Sequence, residues 1–285
     1  MKPLADWPLA ARRNIIGVFT DIDDTLTTHG AITAVALQAL SDLKTAGLHV
    51  IPITGRPVGW AEPLAASWPV DAVVVENGAV ALRMVESEVI SESLAKNTSK
   101  IGIQPAYLLP NMLSKLYQQD ASTRADNLMR MEHIAQQVLA QVPTAVLSRD
   151  HAGRETDLAF DYKEFEDLPP ETVQKIVLLL QQAGMQTTVS SIHIHGCFGN
   201  FDKWIGAQWI VRQLFERDLA SELDKWVFVG DSGNDQAMFQ YFVHSFGVAN
   251  IQHCAAQLTH LPRYITPSER GAGFAGVAMS ILRAK

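Results

Sequence analysis

The chain has 285 residues, a formal net charge of −7 and a hydrophobic share of 47 %, which supports a packed core in one or two domains. The acidic balance excludes a general nucleic-acid binder, whose signature is a basic stripe. No run approaches the roughly 18–20 apolar residues of a membrane span, and Met1–Pro8 has no continuous apolar stretch for a secretory signal, so a cytoplasmic location is expected.

The apolar run Ile15-Ile16-Gly17-Val18-Phe19-Thr20 reads as a buried strand that ends in Asp21-Ile22-Asp23-Asp24-Thr25. Acids at the carboxyl end of a strand lie on the edge where open α/β sheets hold ligands. Several so close together repel one another unless a cation holds them. Thr33 caps a helix through Lys44, with Gly47 in the position that ends it. Leu48–Ile53 is a second strand, Pro57–Ser67 a short helix and Asp71–Val75 a third strand. Apolar runs separated by helices imply a parallel sheet covered on both faces.

Asn77-Gly78 signals a hairpin turn into Ala79–Leu82, and from about Arg83 to Gly199 the rhythm changes. Helices are predicted over Asn111–Gln119, Arg124–Gln141 and Pro170–Ala183, strands over Thr144–Leu147 and Thr156–Tyr162, and two more between Gln186 and His195. This stretch reads as an inserted α+β domain. Cys197 and Cys254 are too few for a disulfide framework and lack metal-ligand spacing. The βα rhythm returns with a helix over Asp202–Arg217, a strand Trp226–Val229, a helix after Asn234, a strand Val243–Val248 and a closing helix near Gly271–Leu282. The expected architecture is α/β, a doubly wound core formed by 1–82 and 200–285 with 83–199 threaded into its middle.

Four motifs fall where core strands end or core helices begin. Asp21 and Asp23 alternate in an extended loop, so both carboxylates can face one site, although a solvated acidic turn fits the same residues. Thr54-Gly55-Arg56 offers a hydroxyl donor and an approachable N–H to a phosphate oxygen, or merely a strand-to-helix turn with Pro57 at the first helical position. Asp202 is a natural N-cap, but Lys203 opposes the helix dipole unless an anion lies beside it. Gly230-Asp231-Ser232-Gly233-Asn234-Asp235 places two acids and an amide around a tight turn, a set suited to a hard cation.

Together, Asp21-x-Asp23-x-Thr25, Thr54-Gly55-Arg56, Lys203 and Gly230-Asp231-x-x-Asn234-Asp235 resemble, in this order, the four motifs of the haloacid dehalogenase-like hydrolases. The inserted domain and Glu76-Asn77-Gly78-Ala79 are similar to the subfamily IIB (C2B cap) arrangement of the sugar-phosphatase branch. Asp24 departs from the glycine that many members of that branch carry. The resemblance implies a Rossmann-like core, a cap and a Mg²⁺-dependent phosphatase of a small phosphorylated metabolite, most simply a sugar phosphate.

In that reading Asp21 is the nucleophile and Asp23 the acid and base. Thr54, Gly55 and Lys203 hold the phosphoryl group. Asp21, the Asp23 carbonyl and Asp231 hold the metal, with Asn234 and Asp235 as orienting partners or ligands. Asn77, Arg149, Arg154, His193 and His195 are candidate substrate contacts, the two histidines sharing one face of a strand by its period of two. Each fits a purely structural role equally well. A sugar phosphomutase is the alternative enzyme. A phospho-aspartate receiver is the alternative class, less well matched because receivers are shorter and lack the second acid two residues on and the insertion. No nucleic acid or membrane partner is expected.

Overall fold

The computed structural model describes residues 1–85 and 112–285. Its main sheet has six parallel strands in the order Lys2–Pro3, Tyr264–Ile265, His244–Gly247, Trp226–Gly230, Gly17–Thr20, His49–Pro52. Side chains alternate between two apolar layers, as a sheet covered on both faces requires. Val18, Val50, Val227 and Val229 point to one side, where Leu40 and Leu43 of the helix Ala34–Thr45 meet Phe274 and Ile281 of the helix Arg270–Leu282. Phe19, Ile51, Trp226 and Phe228 point to the other, against Trp204 and Ile210 of the helix Lys203–Phe215 and Met238. Thr33 caps its helix by accepting from the Ala36 N–H, and Gly47 takes a left-handed φ of +78° just past the helix end.

The Asn77-Gly78 hairpin forms, pairing Val73–Val75 with Val80–Val85. Its turn is a tight Glu76–Gly78 helical turn with positive φ at all three residues. A bridge from Ile53 to Val74 joins this hairpin to the edge of the main sheet.

One expectation fails. Residues 112–119, predicted as helix, instead contain the strand Met112–Tyr117, paired antiparallel with Val80–Val85 along its whole length; Asn111 lies outside the described residues. Apolar residues at 112, 113, 116 and 117 satisfy a helical repeat, but the waiting edge of the hairpin decides the outcome, because strand preference is set by neighbours more than by the residues themselves. Leu113 and Tyr117 pack on one core layer and Leu116 on the other. By pairing and packing this strand goes with the core, although it falls inside the expected insertion 83–199.

The remainder of the insertion has its own apolar centre. Met131, Ile134 and Val138 of the helix Ala121–Gln141 and Ile176 and Leu180 of Pro170–Gln182 pack against Leu158, Phe160 and Ile194. The antiparallel sheet beneath them runs Gln186–Val189, His193–Cys197, Asp157–Asp161, Val146–Leu147. Among the described residues no helix is long and apolar enough to cross a membrane.

Candidate active site

Three neighbouring parallel strands end at one place. Gly17–Thr20 delivers Asp21, His49–Pro52 delivers Thr54, and Trp226–Gly230 delivers Asp231. The Asp21 N–H donates to the Val229 carbonyl at 2.8 Å, tying the first acidic loop to the strand that carries the second. Lys203 reaches the same point from the first turn of its helix, which Asp202 caps by accepting from the Ile205 N–H at 2.7 Å. The Lys203 side chain is fully buried, and its Nζ donates to Asp21 and, at 2.7 Å, to Asp235. Two carboxylates thus resolve the conflict between a cation and the positive end of a helix.

Asp21, Asp231 and Asp235 each present an oxygen, all within 4.8 Å of one another. Burial pushes the Asp21 carboxyl up to about 7, with Asp235 and Asp23 adding to burial and Lys203 opposing it. Burial, then Asp21 and Asp235, holds Asp231 well above the ordinary carboxylate range. Burial alone would lower Lys203, but Asp21 and Asp235 outweigh it and keep the ammonium charged.

One ammonium therefore faces three buried carboxylates, and their oxygens are unequally engaged. Asp235 uses Oδ1 on Lys203 and Oδ2 on the N–H groups of Asp231 and Ser232. Asp231 Oδ2 accepts from Asn250 Nδ2 at 2.9 Å, while its Oδ1 is buried with no partner. An orphaned carboxylate oxygen beside Asp21, in an all-oxygen setting with excess negative charge, fits a hard divalent cation such as Mg²⁺. Asn234 has both ends of its amide engaged, accepting from Ser232 Oγ and donating to Asn77 Oδ1 at 3.1 Å. Asn234 and Asp235 therefore brace the loop, Lys203 and Asn77.

On the neighbouring strand, Thr54 Oγ1 accepts from the Arg56 N–H at 3.0 Å, which leaves its own hydrogen free to donate. Gly55 must lack a side chain, since a Cβ there would lie 2.9 Å from His195 Nε2. A narrow cleft is lined by Asp21, Asp23, Thr54, Gly55, Arg56 and His193, with His195, Ser190–Ile192, Ser232 and Asn234 completing it.

Residues between 150 and 195 form the far wall. His195 Nδ1 lies 3.1 Å from Asp157 Oδ2, and burial, reinforced by Arg154 and His193, keeps this imidazole well below its usual range and neutral. Arg154 is buried, bonded to Asp157 and Asp150, and donates to the Gly55 carbonyl at 3.1 Å. His193 Nε2 lies 2.9 Å from Glu164 Oε2. Of the expected substrate contacts, His193 and His195 line the cleft, Arg154 and Asn77 brace its walls, and Arg149 is exposed with its guanidinium stacked on Phe165.

Three residues of consequence escape motif reading. Arg56 bonds Asp23 with both Nε and Nη2 and also reaches Asp150 and Glu164. Its place in Thr54-Gly55-Arg56 is a signal; its partners are not. Glu76 accepts from the N–H groups of Val58, Glu155 and Thr156, joining the hairpin turn to the insertion, and burial followed by Asp157 pushes it up to about 7. Asn250 donates to the Asp24 carbonyl as well as to Asp231 and accepts from the Arg270 N–H. Asp24 itself has a φ of +55° and pairs with Arg270 at 2.9 Å.

A family model described as haloacid dehalogenase-like hydrolase matches residues 18–277. The fold is similar to that of Thermoplasma acidophilum protein 0175, with 16 % identity over 94 % of this chain and 98 % of that one and a TM-score of 0.64. It is also similar to the Synechocystis sucrose-phosphatase solved with sucrose and phosphate, at 15 % identity over 94 % and 98 % of the two chains and a TM-score of 0.62. The C-terminal domain of the C. albicans trehalose-6-phosphate phosphatase matches over 99 % of both chains at 12 % identity and a TM-score of 0.63. No curated protein matches the sequence.

Proposed function

Since the chain belongs to the haloacid dehalogenase-like hydrolases and is therefore an enzyme, we propose that it is a Mg²⁺-dependent phosphatase of a small phosphorylated metabolite, most simply a sugar phosphate. The observation that carries this reading is the convergence, on adjacent strand ends, of Asp21, its buried partner Lys203 and the orphaned Asp231 oxygen. That the sucrose and trehalose-6-phosphate phosphatases share the fold supports the sugar phosphate.

Asp21 attacks phosphorus in line and forms an aspartyl-phosphate, splitting one difficult displacement into two. Asp23 gives a proton to the departing alkoxide and then takes one from the water that hydrolyses the intermediate. Thr54 and the Gly55 N–H hold phosphoryl oxygens, and Lys203 offsets charge on both Asp21 and the phosphoryl group. Asp21, the Asp23 carbonyl and Asp231 would hold Mg²⁺, which supplies further charge neutralisation at the nucleophile and phosphoryl group. Asn234 and Asp235 orient that set. His193 and His195 contact the leaving group from the cap, whose closure excludes water.

The test is phosphate release with Mg²⁺ over a panel of sugar phosphates and other phosphorylated metabolites. Asp21→Asn retains the fold and loses turnover; a variant as active as the parent sinks the assignment. Isomerisation of the sugar phosphate without net phosphate release identifies the mutase alternative.

A further inference from the structure

We propose that Asp161, Glu164 and His193 form a second cation site on the wall of the cleft, suited to a borderline divalent ion such as Zn²⁺ and separate from the site at Asp21 and Asp231. The inference goes beyond the phosphatase reading and does not depend on it.

Strand pairing brings two of the donors together. Asp161 ends the strand Asp157–Asp161, His193 opens the strand His193–Cys197, and the two stand directly opposite one another in the antiparallel register. Residues paired in this way share one face of the sheet, with Cβ atoms about 5 Å apart. Glu164 comes from the turn that follows. Asp161 Oδ1 accepts from the N–H groups of Lys163 and Glu164 at 3.1 and 2.9 Å, and its Oδ2 from that of Phe165 at 3.1 Å. The turn therefore folds back over Asp161 and carries the Glu164 carboxylate to the imidazole. One donor atom from each of the three residues lies within 4.8 Å of the others.

The observation that points to an ion is His193 Nε2. His193 is only 1 % exposed, and among the described residues this nitrogen has no hydrogen-bond partner. It lies 2.9 Å from Glu164 Oε2, yet the ring N–H direction misses that oxygen. A shared cation produces this geometry. Two atoms each about 2.1 Å from one ion, and at right angles about it, lie about 3.0 Å apart and neither points at the other. The carboxylates have oxygens to give. Asp161 Oδ2 accepts one hydrogen bond and keeps a second lone pair. Glu164 Oε1 stays on Arg56 Nη2 at 2.7 Å, while Oε2 gives up only a longer contact of 3.2 Å to Nη1, which retains Asp150. One imidazole and two carboxylates suit Zn²⁺ or a similar ion, whereas the oxygens of Asp21 and Asp231 suit Mg²⁺. Glu164 is partly exposed and His193 lines the cleft, which gives the ion an entry path.

The experiment uses the full chain carrying Asp231→Asn, which disables the all-oxygen site, after metal is stripped with EDTA. Calorimetric titration is expected to find one Zn²⁺ bound per chain in the presence of excess Mg²⁺. Nitrogen-15 NMR of the histidine rings is expected to show the His193 Nε2 signal shifting with Zn²⁺ and not with Mg²⁺. Adding Asp161→Asn, which keeps an oxygen for the N–H groups of the turn, should weaken Zn²⁺ at least about tenfold, since a ligand matters no less than the outer partners whose loss costs that much. Failure to bind Zn²⁺, binding that leaves the His193 signal unmoved, or unchanged affinity in the Asp161→Asn variant overturns the inference. None of these readouts uses phosphate release, so failure of the phosphatase reading is seen separately.

Discussion

Replacing Lys203 by methionine separates its electrostatic role from that of the metal. The side chain is fully buried and its Nζ donates to Asp21 and Asp235, while oxygens of Asp21, Asp231 and Asp235 lie within 4.8 Å of one another. Two like charges about 5 Å apart at an effective dielectric constant of about 20 repel by about 3 kcal/mol. Without the ammonium, no cation among the described residues touches these carboxylates to offset that repulsion. Removing one partner of a buried pair typically costs about 3–5 kcal/mol, and at roughly 2–4 °C per kcal/mol for a protein of this size the metal-free variant should melt roughly 6–20 °C lower. Added Mg²⁺ then meets a site one positive charge poorer, so it should raise the melting temperature of the variant more than that of the parent. Turnover nevertheless falls by about 10²–10³ or more, because the donor to the phosphoryl group is gone. Differential scanning fluorimetry with EDTA and with Mg²⁺, alongside phosphate release, reads all three quantities. A smaller Mg²⁺ shift in the variant than in the parent, or a rate loss under tenfold, would refute the charge argument.

Asn250→Ala frees Asp231 Oδ2 and the Asp24 carbonyl from their shared donor, and calorimetric titration should find Mg²⁺ affinity about 10–100-fold weaker; unchanged affinity removes Asn250 from the metal's support. The Asp21 carboxyl stands near 7 against 3.8 unperturbed, so its contribution to stability is complete below about 3.8 and lost as pH rises towards 7. Urea denaturation in EDTA should accordingly give lower stability at pH 8 than at pH 5.5, and saturating Mg²⁺ should narrow that decline; equal slopes with and without metal contradict it. Gly206→Ala places a methyl 2.4 Å from the Gly78 Cα. Although alanine favours a helix interior, the variant should lose roughly 1–3 kcal/mol in chemical denaturation, and a gain would show that the helix can shift away from the hairpin turn.

The core was legible because its signals are local. Val227-Phe228-Val229 and Val73-Val74-Val75 are too short and too β-branched to be helices, and Thr33, Gly47 and Asp202 mark helix ends by chemistry that acts within one turn. The strand Met112–Tyr117 was not legible, because its conformation comes from Val80–Val85, some thirty residues earlier. Nothing in Met112-Leu113-Ser114-Lys115-Leu116-Tyr117 distinguishes a helix face from a strand that packs on both core layers.

In the candidate site, legibility follows how many partners a residue needs before its purpose appears. Asp21 and Asp231 sit directly on strand ends, so the fold alone implies their meeting. Arg56 has the opposite character. Its motif position suggests a turn, and only the fold places Asp23 on one edge of its guanidinium and Asp150 and Glu164 on the other. Asp24 is the sharper case, because it looks like a defect where glycine is usual. A left-handed φ of +55° is accessible to aspartate more readily than to most residues, and its carboxylate pairs with Arg270, itself left-handed at +51°. Asn250 ties both of these backbones to Asp231. A charge pair and an amide thus brace a loop whose shape a glycine would leave to its own freedom, and the departure from the motif is compensated by residues more than two hundred positions away.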